Sequence, residues 1–224
     1  MTVQVRLKWF IGHPGFGGNY SAVQDKLRSV QEIQATWCAF AAILENGSVI
    51  TWGDETFGGD SSTVQHQPKA VQQIQATATS FAAILKDGSV VTWGNQRFGG
   101  DNSAVQDQIK GVQQIQAMGG AFAAILEDRS VVVWGPRGFG GDSSPVQDKL
   151  RKVQQIQGSV RAFAAILEDG SVDPAWALSK TAEGRLDPHQ LVSVCTAEEL
   201  RRTGLVSATS AATCWKNGCI TVYQ

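Results

Sequence analysis

An all-β array of tandem propeller-type blades, followed by a short mixed α/β tail, is the fold class this sequence predicts. Three observations point to it. First, Phe-Gly-Gly starts at Phe16, Phe57, Phe98 and Phe139, and Phe-Ala-Ala-Ile-Leu starts at Phe40, Phe81, Phe122 and Phe163, both in steps of 41 residues. Second, Val-Gln-[Gln/Glu]-Ile-Gln keeps that step from Val30 through Val71 and Val112 to Val153, and Trp-Gly keeps it at Trp52, Trp93 and Trp134. Third, two short apolar runs in each repeat flank a turn: Glu45-Asn46-Gly47, Lys86-Asp87-Gly88 and Glu168-Asp169-Gly170. Asn-Gly or Asp-Gly between apolar runs is the strongest short-range signal for a hairpin.

A period of this length also fits helical solenoids, so local chemistry has to separate the two. Val23, Leu27, Val30 and Ile33 fall at helical spacing, as do Val105, Ile109, Val112, Ile115 and Val146, Leu150, Val153, Ile156. The second repeat breaks this pattern with Pro68 at the Leu27 position, where a helix interior loses about 3 kcal/mol. The other half of each repeat, Phe-Ala-Ala-Ile-Leu, a turn, then Ser-Val-[Ile/Val]-Thr-Trp-Gly, reads as a hairpin. Arg129 stands where the other turns have glycine, so the third turn is expected to be strained or of another type.

Gly-Ser-Val-Val-Thr-Trp-Gly (88–94), Gly-Gly shortly after it, Val-Gln-Gln-Ile-Gln-Ala (112–117) and Phe-Ala-Ala-Ile-Leu-Glu-Asp (122–128) together resemble the regulator-of-chromosome-condensation repeat. The resemblance covers roughly residues 11–172. It implies four-stranded blades in a partial or small β-propeller, because family rings usually hold about seven blades and this chain offers four repeats. The family includes GTPase exchange factors, substrate-recruiting segments of HECT-type ubiquitin ligases, a photoreceptor and pure inhibitors. The photoreceptor's Gly-Trp-Arg-His-Thr motif and a HECT catalytic domain are both absent from the sequence. Fold alone does not choose among the remaining activities.

With 42% hydrophobic and 17% charged residues, the 224-residue chain has the composition of a folded protein. A net charge of −1 gives no basic footprint for nucleic acid or anionic membrane. Met1–Gly12 has no apolar stretch of signal-peptide length, and Cys38, Cys195, Cys214 and Cys219 form no disulfide framework. A cytoplasmic or nuclear location is the resulting expectation.

Trp52, Trp93 and Trp134, with Phe40, Phe81, Phe122 and Phe163, read as residues that pack blade on blade, and Phe57, Phe98 and Phe139 as further core. Asp60, Asp101 and Asp142, and Asn19 in the first repeat, read as turn residues bonded to their own backbone rather than as calcium or phosphate ligands. Cys195, Cys214, Cys219 and His189 lack zinc-site spacing apart from Cys214-x₄-Cys219. His13 and His66 read as solvated loop residues. No catalytic, cofactor or metal residue is assigned.

The repeats differ at two stretches. One follows Trp-Gly: Asp54-Glu55-Thr56, Asn95-Gln96-Arg97 and Pro136-Arg137-Gly138. The other precedes Phe-Ala-Ala: Thr36-Trp37-Cys38, Thr77-Ala78-Thr79, Met118-Gly119-Gly120 and Ser159-Val160-Arg161. Variable loops on a repeated scaffold are where binding residues sit, and unconstrained drift is the other account of them. Trp37, Asp54, Glu55, Asn95, Arg97, Arg137 and Arg161 are therefore the candidate partner-binding residues. Trp37 and Arg161 lead, since Trp and Arg are enriched at interface hot spots.

From Asp173 the register stops, with Asp-Pro-Ala-Trp replacing the Trp-Gly strand. A capping box at Thr196–Glu199 and a stop at Gly204 predict a helix over 197–203, and a last strand is expected within 214–224. The domains are thus residues 1–172, carrying the repeats, and 173–224, the tail. The expected function is a non-enzymatic protein-interaction module, with a HECT-type ligase fragment or an exchange factor as alternatives. Four blades are expected to leave apolar faces at both ends, so that the chain self-associates, with the tail shielding one end.

Overall fold

The computed structural model describes residues 12–65, 70–173, 212–216 and 219–223. Four antiparallel sheets follow one another along the chain. Blade 1 is β1 (Val30–Ala35), β2 (Ala39–Leu44) and β3 (Val49–Gly53). Blade 2 is β4 (Val71–Ala76), β5 (Ser80–Leu85) and β6 (Val90–Gly94). Blade 3 is β7 (Val112–Met118), β8 (Ala121–Leu126) and β9 (Val131–Trp134), and blade 4 is β10 (Val153–Gly158), β11 (Phe163–Leu167) and β12 (Val172–Asp173). In each the strands pair in chain order, and β1, β4, β7 and β10 approach one another in sequence as the inner edge.

The hairpin expectation holds, with one change in the turn. Gly47 takes φ 79° and its N–H donates to the Leu44 carbonyl at 2.8 Å, while Leu44 N–H donates to Ser48. This is a three-residue loop with glycine in the left-handed position, not a two-residue turn. Asn46 closes it by accepting from the Ser48 N–H and hydroxyl, and Asp87, Asp128 and Asp169 do the same for Ser89, Ser130 and Ser171. Arg129 adopts the same turn at φ 64°, which places the expected strain there.

The blades have three strands among the described residues, not four. The stretches ahead of β1 and after β3, β6 and β9 run through turns. Gly17, Gly58, Gly99 and Gly140 are left-handed, and Asn19, Asp60, Asp101 and Asp142 each accept the N–H of the serine two residues on. Local bonds of this kind take the backbone out of a ladder. The helical spacing noted in the sequence is real for a single turn. The Leu27 N–H reaches the Val23 carbonyl at 3.2 Å and Ile109 reaches Val105 at 3.1 Å, after which Val30 and Val112 open the strands.

Alternation along the middle strand builds the core. Ala39, Ala41 and Ile43 of blade 1 share a buried cluster with Ile74, Phe81, Ala83 and Trp93 of blade 2. The pattern repeats between blades 2 and 3, and between blades 3 and 4. Each Trp is held twice. Its ring stacks on the Phe across the hairpin at 5.2 Å (Phe40–Trp52, Phe81–Trp93, Phe122–Trp134), and its Nε1–H donates at 3.1 Å to Gly17, Gly58 or Gly99. The glycine is required there: a Cβ on Gly58 would lie 2.6 Å from the Phe81 ring.

Several sequence expectations are corrected. Phe57, Phe98 and Phe139 are half-buried at the sheet ends, with Phe57 and Phe139 packed against the margins of the core clusters, and Phe40 is half-buried where Phe81, Phe122 and Phe163 are sealed. The last strand is two, β13 (Ala212–Lys216) paired with β14 (Cys219–Tyr223). His66, Pro68, His189, Cys195 and the helix over 197–203 lie outside the described residues.

Candidate functional site

Both variable stretches of a blade lie at the same sheet end. Chain direction requires this, since the β1–β2 bend and the exit from β3 fall at the end opposite the β2–β3 turn. Hydrogen bonds then tie the two together. Asp54 N–H donates to the Cys38 carbonyl at 2.9 Å and the Thr36 hydroxyl to the Phe57 carbonyl at 2.9 Å; blade 2 repeats this through Asn95 to Thr79 and Thr77 to Phe98.

The bend divides by position. Its first residue is structural: the hydroxyls of Thr36, Thr77 and Ser159 accept the N–H of Ala39, Ser80 and Ala162. Its second residue forms a row across blades, with Trp37 N–H donating to Ala78 at 2.9 Å and Ala78 N–H to Gly119 at 3.1 Å. Trp37 is 73% exposed, as is Val160 at the far end of the row.

The second stretch starts with a cap. Asp54 accepts the Thr56 N–H and Asn95 the Arg97 N–H, each opening a single 3-10 turn, and exposed His13 holds the same place through Nδ1 on Gly15 N–H. Asp54 and Asn95 therefore shape the loop before they contact anything else. Glu55, Arg97 and Arg137 are exposed on these turns. Arg137 is engaged by Asp142 at 2.7 Å, while Arg161 is exposed with its guanidinium 5.3 Å from the Phe139 ring centre. Hydrogen bonds from the Ser144 hydroxyl and N–H, with Arg137 adding to them, hold the Asp142 carboxyl below the usual carboxylate range.

The surface so formed is aromatic and changes charge along its length. Blade 1 contributes Asp54 and Glu55 beside Trp37; blades 2 to 4 contribute Arg97, Arg137 and Arg161. Phe16, 59% exposed, and half-buried Phe57, Phe98 and Phe139 run beneath them, Phe98 and Phe139 meeting edge to face at 5.7 Å. An open cleft of about 270 Å³ lies between Gln96-Arg97 and Trp134-Gly135-Pro136. Phe16 and Val160 carry no individual signal in the sequence, since Phe16 matches three less exposed phenylalanines and Val160 is an ordinary apolar residue of a variable stretch. Among the described residues no three His, Cys, Asp or Glu side chains gather as a metal site requires.

Sheets of this kind, joined in chain order and stacked face to face, match solved propellers. A chain in the complex of Kap60 with yeast RCC1 (Prp20) superposes with TM-score 0.50 at 17% identity, over 73% of this chain and 47% of that one. Prp20p from Saccharomyces cerevisiae, in the structure described with its binding to Gsp1p and histones, gives 0.51 at 16% identity, over 75% and 50%. The sheets have the fold of RCC1-type propeller blades. The chain spans about half the length of these propellers. No family model and no curated protein sequence matches it.

Proposed function

We propose that the chain is a non-enzymatic protein-interaction module whose binding surface is the bend edge of its blades. One observation carries this reading: Trp37, a large apolar ring, stands 73% exposed on a bend pinned by hydrogen bonds on both sides. An exposed Trp on a pinned backbone has few rotatable bonds to order on binding and offers a large contact area. Exposed Arg97 and Arg161 extend the edge with donors suited to a partner's carboxylates. The use of this fold by yeast Prp20p for binding Gsp1p and histones is consistent with a protein ligand.

The test is affinity capture with wild type, the Trp37→Ala/Arg161→Ala double variant, and Lys86→Ala on the opposite turn edge. Loss of the captured partner in the double variant, with at least a tenfold fall in affinity, supports the proposal. Equal capture by all three assigns the variable stretches to drift.

A further inference from the structure

The two ends of the blade array carry matching halves of one interface. Ile43, Ile84, Ile125 and Ile166 share one repeat position, and Ile33, Ile74, Ile115 and Ile156 share another. At each internal interface a member of the first row joins the next member of the second in one core cluster: Ile43 with Ile74, Ile84 with Ile115, Ile125 with Ile156. All six are buried. The two left over, Ile166 on the rear of blade 4 and Ile33 on the front of blade 1, are only half-buried, and among the described residues no cluster joins blade 4 to blade 1. Gln155 and Gln157 on the rear of blade 4 are exposed, whereas Gln114 and Gln116 of blade 3 are half-buried.

The backbone shows the same offset. Val71, Val112 and Val153 donate N–H to the turn carbonyls of the preceding blade, Gly47, Gly88 and Arg129, at 2.9–3.0 Å. The next acceptor in that series is Gly170, and the donor before its first member is Val30. In the bend row, Trp37 donates to Ala78 and Ala78 to Gly119. The row ends on Val160, whose next neighbour in sequence of blades would again be a Trp37 position. Trp37 and Val160 are equally exposed, at 73%.

We propose that a second copy of this chain supplies the missing neighbours. The rear of blade 4 in each copy seats on the front of blade 1 in the other, and two copies close a ring of eight blades. The contact repeats the interface that the chain already forms three times within itself, which identifies the occupant. Four blades account for about half of the yeast propellers they match, so two copies complete a ring of comparable size. Eight blades lie within the range of about four to eight that propellers use. A head-to-tail contact closes into a ring when its rotation permits and otherwise runs on as a filament.

Sedimentation equilibrium on the full chain tests this. Wild type should have twice the chain mass. Ile33→Glu alone and Ile166→Arg alone should each run as monomers, since every head-to-tail contact then contains one altered face. Mixing the two variants should restore the dimer mass through the intact rear of one and the intact front of the other. Far-UV circular dichroism checks that each variant folds, and Val160→Asp, at an exposed position, replaces Ile166→Arg if that variant does not. A monomeric wild type, an open-ended series of larger species, or a dimer that survives either single variant would each overturn the proposal. The last would mark a face-to-face pairing instead.

Discussion

Replacing Trp93 by alanine should remove the pin between blades 1 and 2. The side chain is 3% exposed, shares a cluster with Ala39, Ala41 and Ile43 of the preceding blade, stacks on Phe81 at 5.2 Å and donates to the Gly58 carbonyl at 3.1 Å. Truncating a buried Trp costs about 3–5 kcal/mol through lost transfer energy and the cavity left behind. Trp93→Phe separates the contributions. Phenylalanine keeps an aromatic ring against Phe81, a pairing worth about 0.5–1.5 kcal/mol, but leaves the Gly58 carbonyl without its donor, which costs about 1–3 kcal/mol. The expected order is therefore wild type, then Trp93→Phe, then Trp93→Ala. Urea denaturation followed by circular dichroism measures both differences. At about 2–4 °C per kcal/mol, the alanine variant should also melt on the order of 10 °C lower. An alanine variant within about 0.5 kcal/mol of wild type, inside the range of ordinary surface substitutions, would refute blade packing through this residue.

Three further outcomes follow from the same geometry. Arg129→Gly should raise the melting temperature, because it relieves a left-handed arginine worth about 1–3 kcal/mol of strain, less about 0.5–1 kcal/mol for glycine's extra freedom when unfolded; a lower melting temperature would count against strain at this turn. Asp128 and Asp169 have carboxyls held below their usual range, chiefly by the Ser130 and Ser171 hydroxyls and then by those residues' N–H groups. Their contribution is present above the unfolded value of about 3.9 and is lost as pH falls through the lower folded value. Asp128→Asn/Asp169→Asn should keep the turns, as Asn46 does, and lose less stability on acidification than wild type; an unchanged acid transition would show that these bonds do not contribute. Far-UV circular dichroism should be dominated by β-structure, and a predominantly helical spectrum would revive the solenoid.

The hairpin half of each repeat was legible because its signals are local. Phe81 and Trp93 pair directly across β5 and β6, and the Asp87-Gly88-Ser89 turn between them carries its own bonds. The missing fourth strand had a local signal too. Phe-Gly-Gly followed by Asp-x-Ser reads as turn chemistry, and the hydrogen bonds at Asp60, Asp101 and Asp142 bear it out; the four-strand count came from the family resemblance alone. The half-buried state of Phe57, Phe98 and Phe139 was not legible, because it depends on where the sheet ends and not on residue type. The row of Trp37, Ala78, Gly119 and Val160 was hidden for another reason. Trp37, Ala78 and Gly119 are joined through backbone groups, so the bonds themselves do not require their side chains to resemble one another. The caps at Asp54 and Asn95 were readable in principle, each being an Asx residue two positions ahead of the N–H it accepts.

Hydrogen exchange on the full chain, alone and with the protein that affinity capture yields, tests the binding surface most directly. Protection is expected in peptides spanning the bends and following turns, residues 36–38, 54–58, 95–99 and 159–161. The turn edge at residues 45–48 and 86–89 should be unchanged. Protection confined to the turn edge, or no change at the bends with partner bound, would contradict the account.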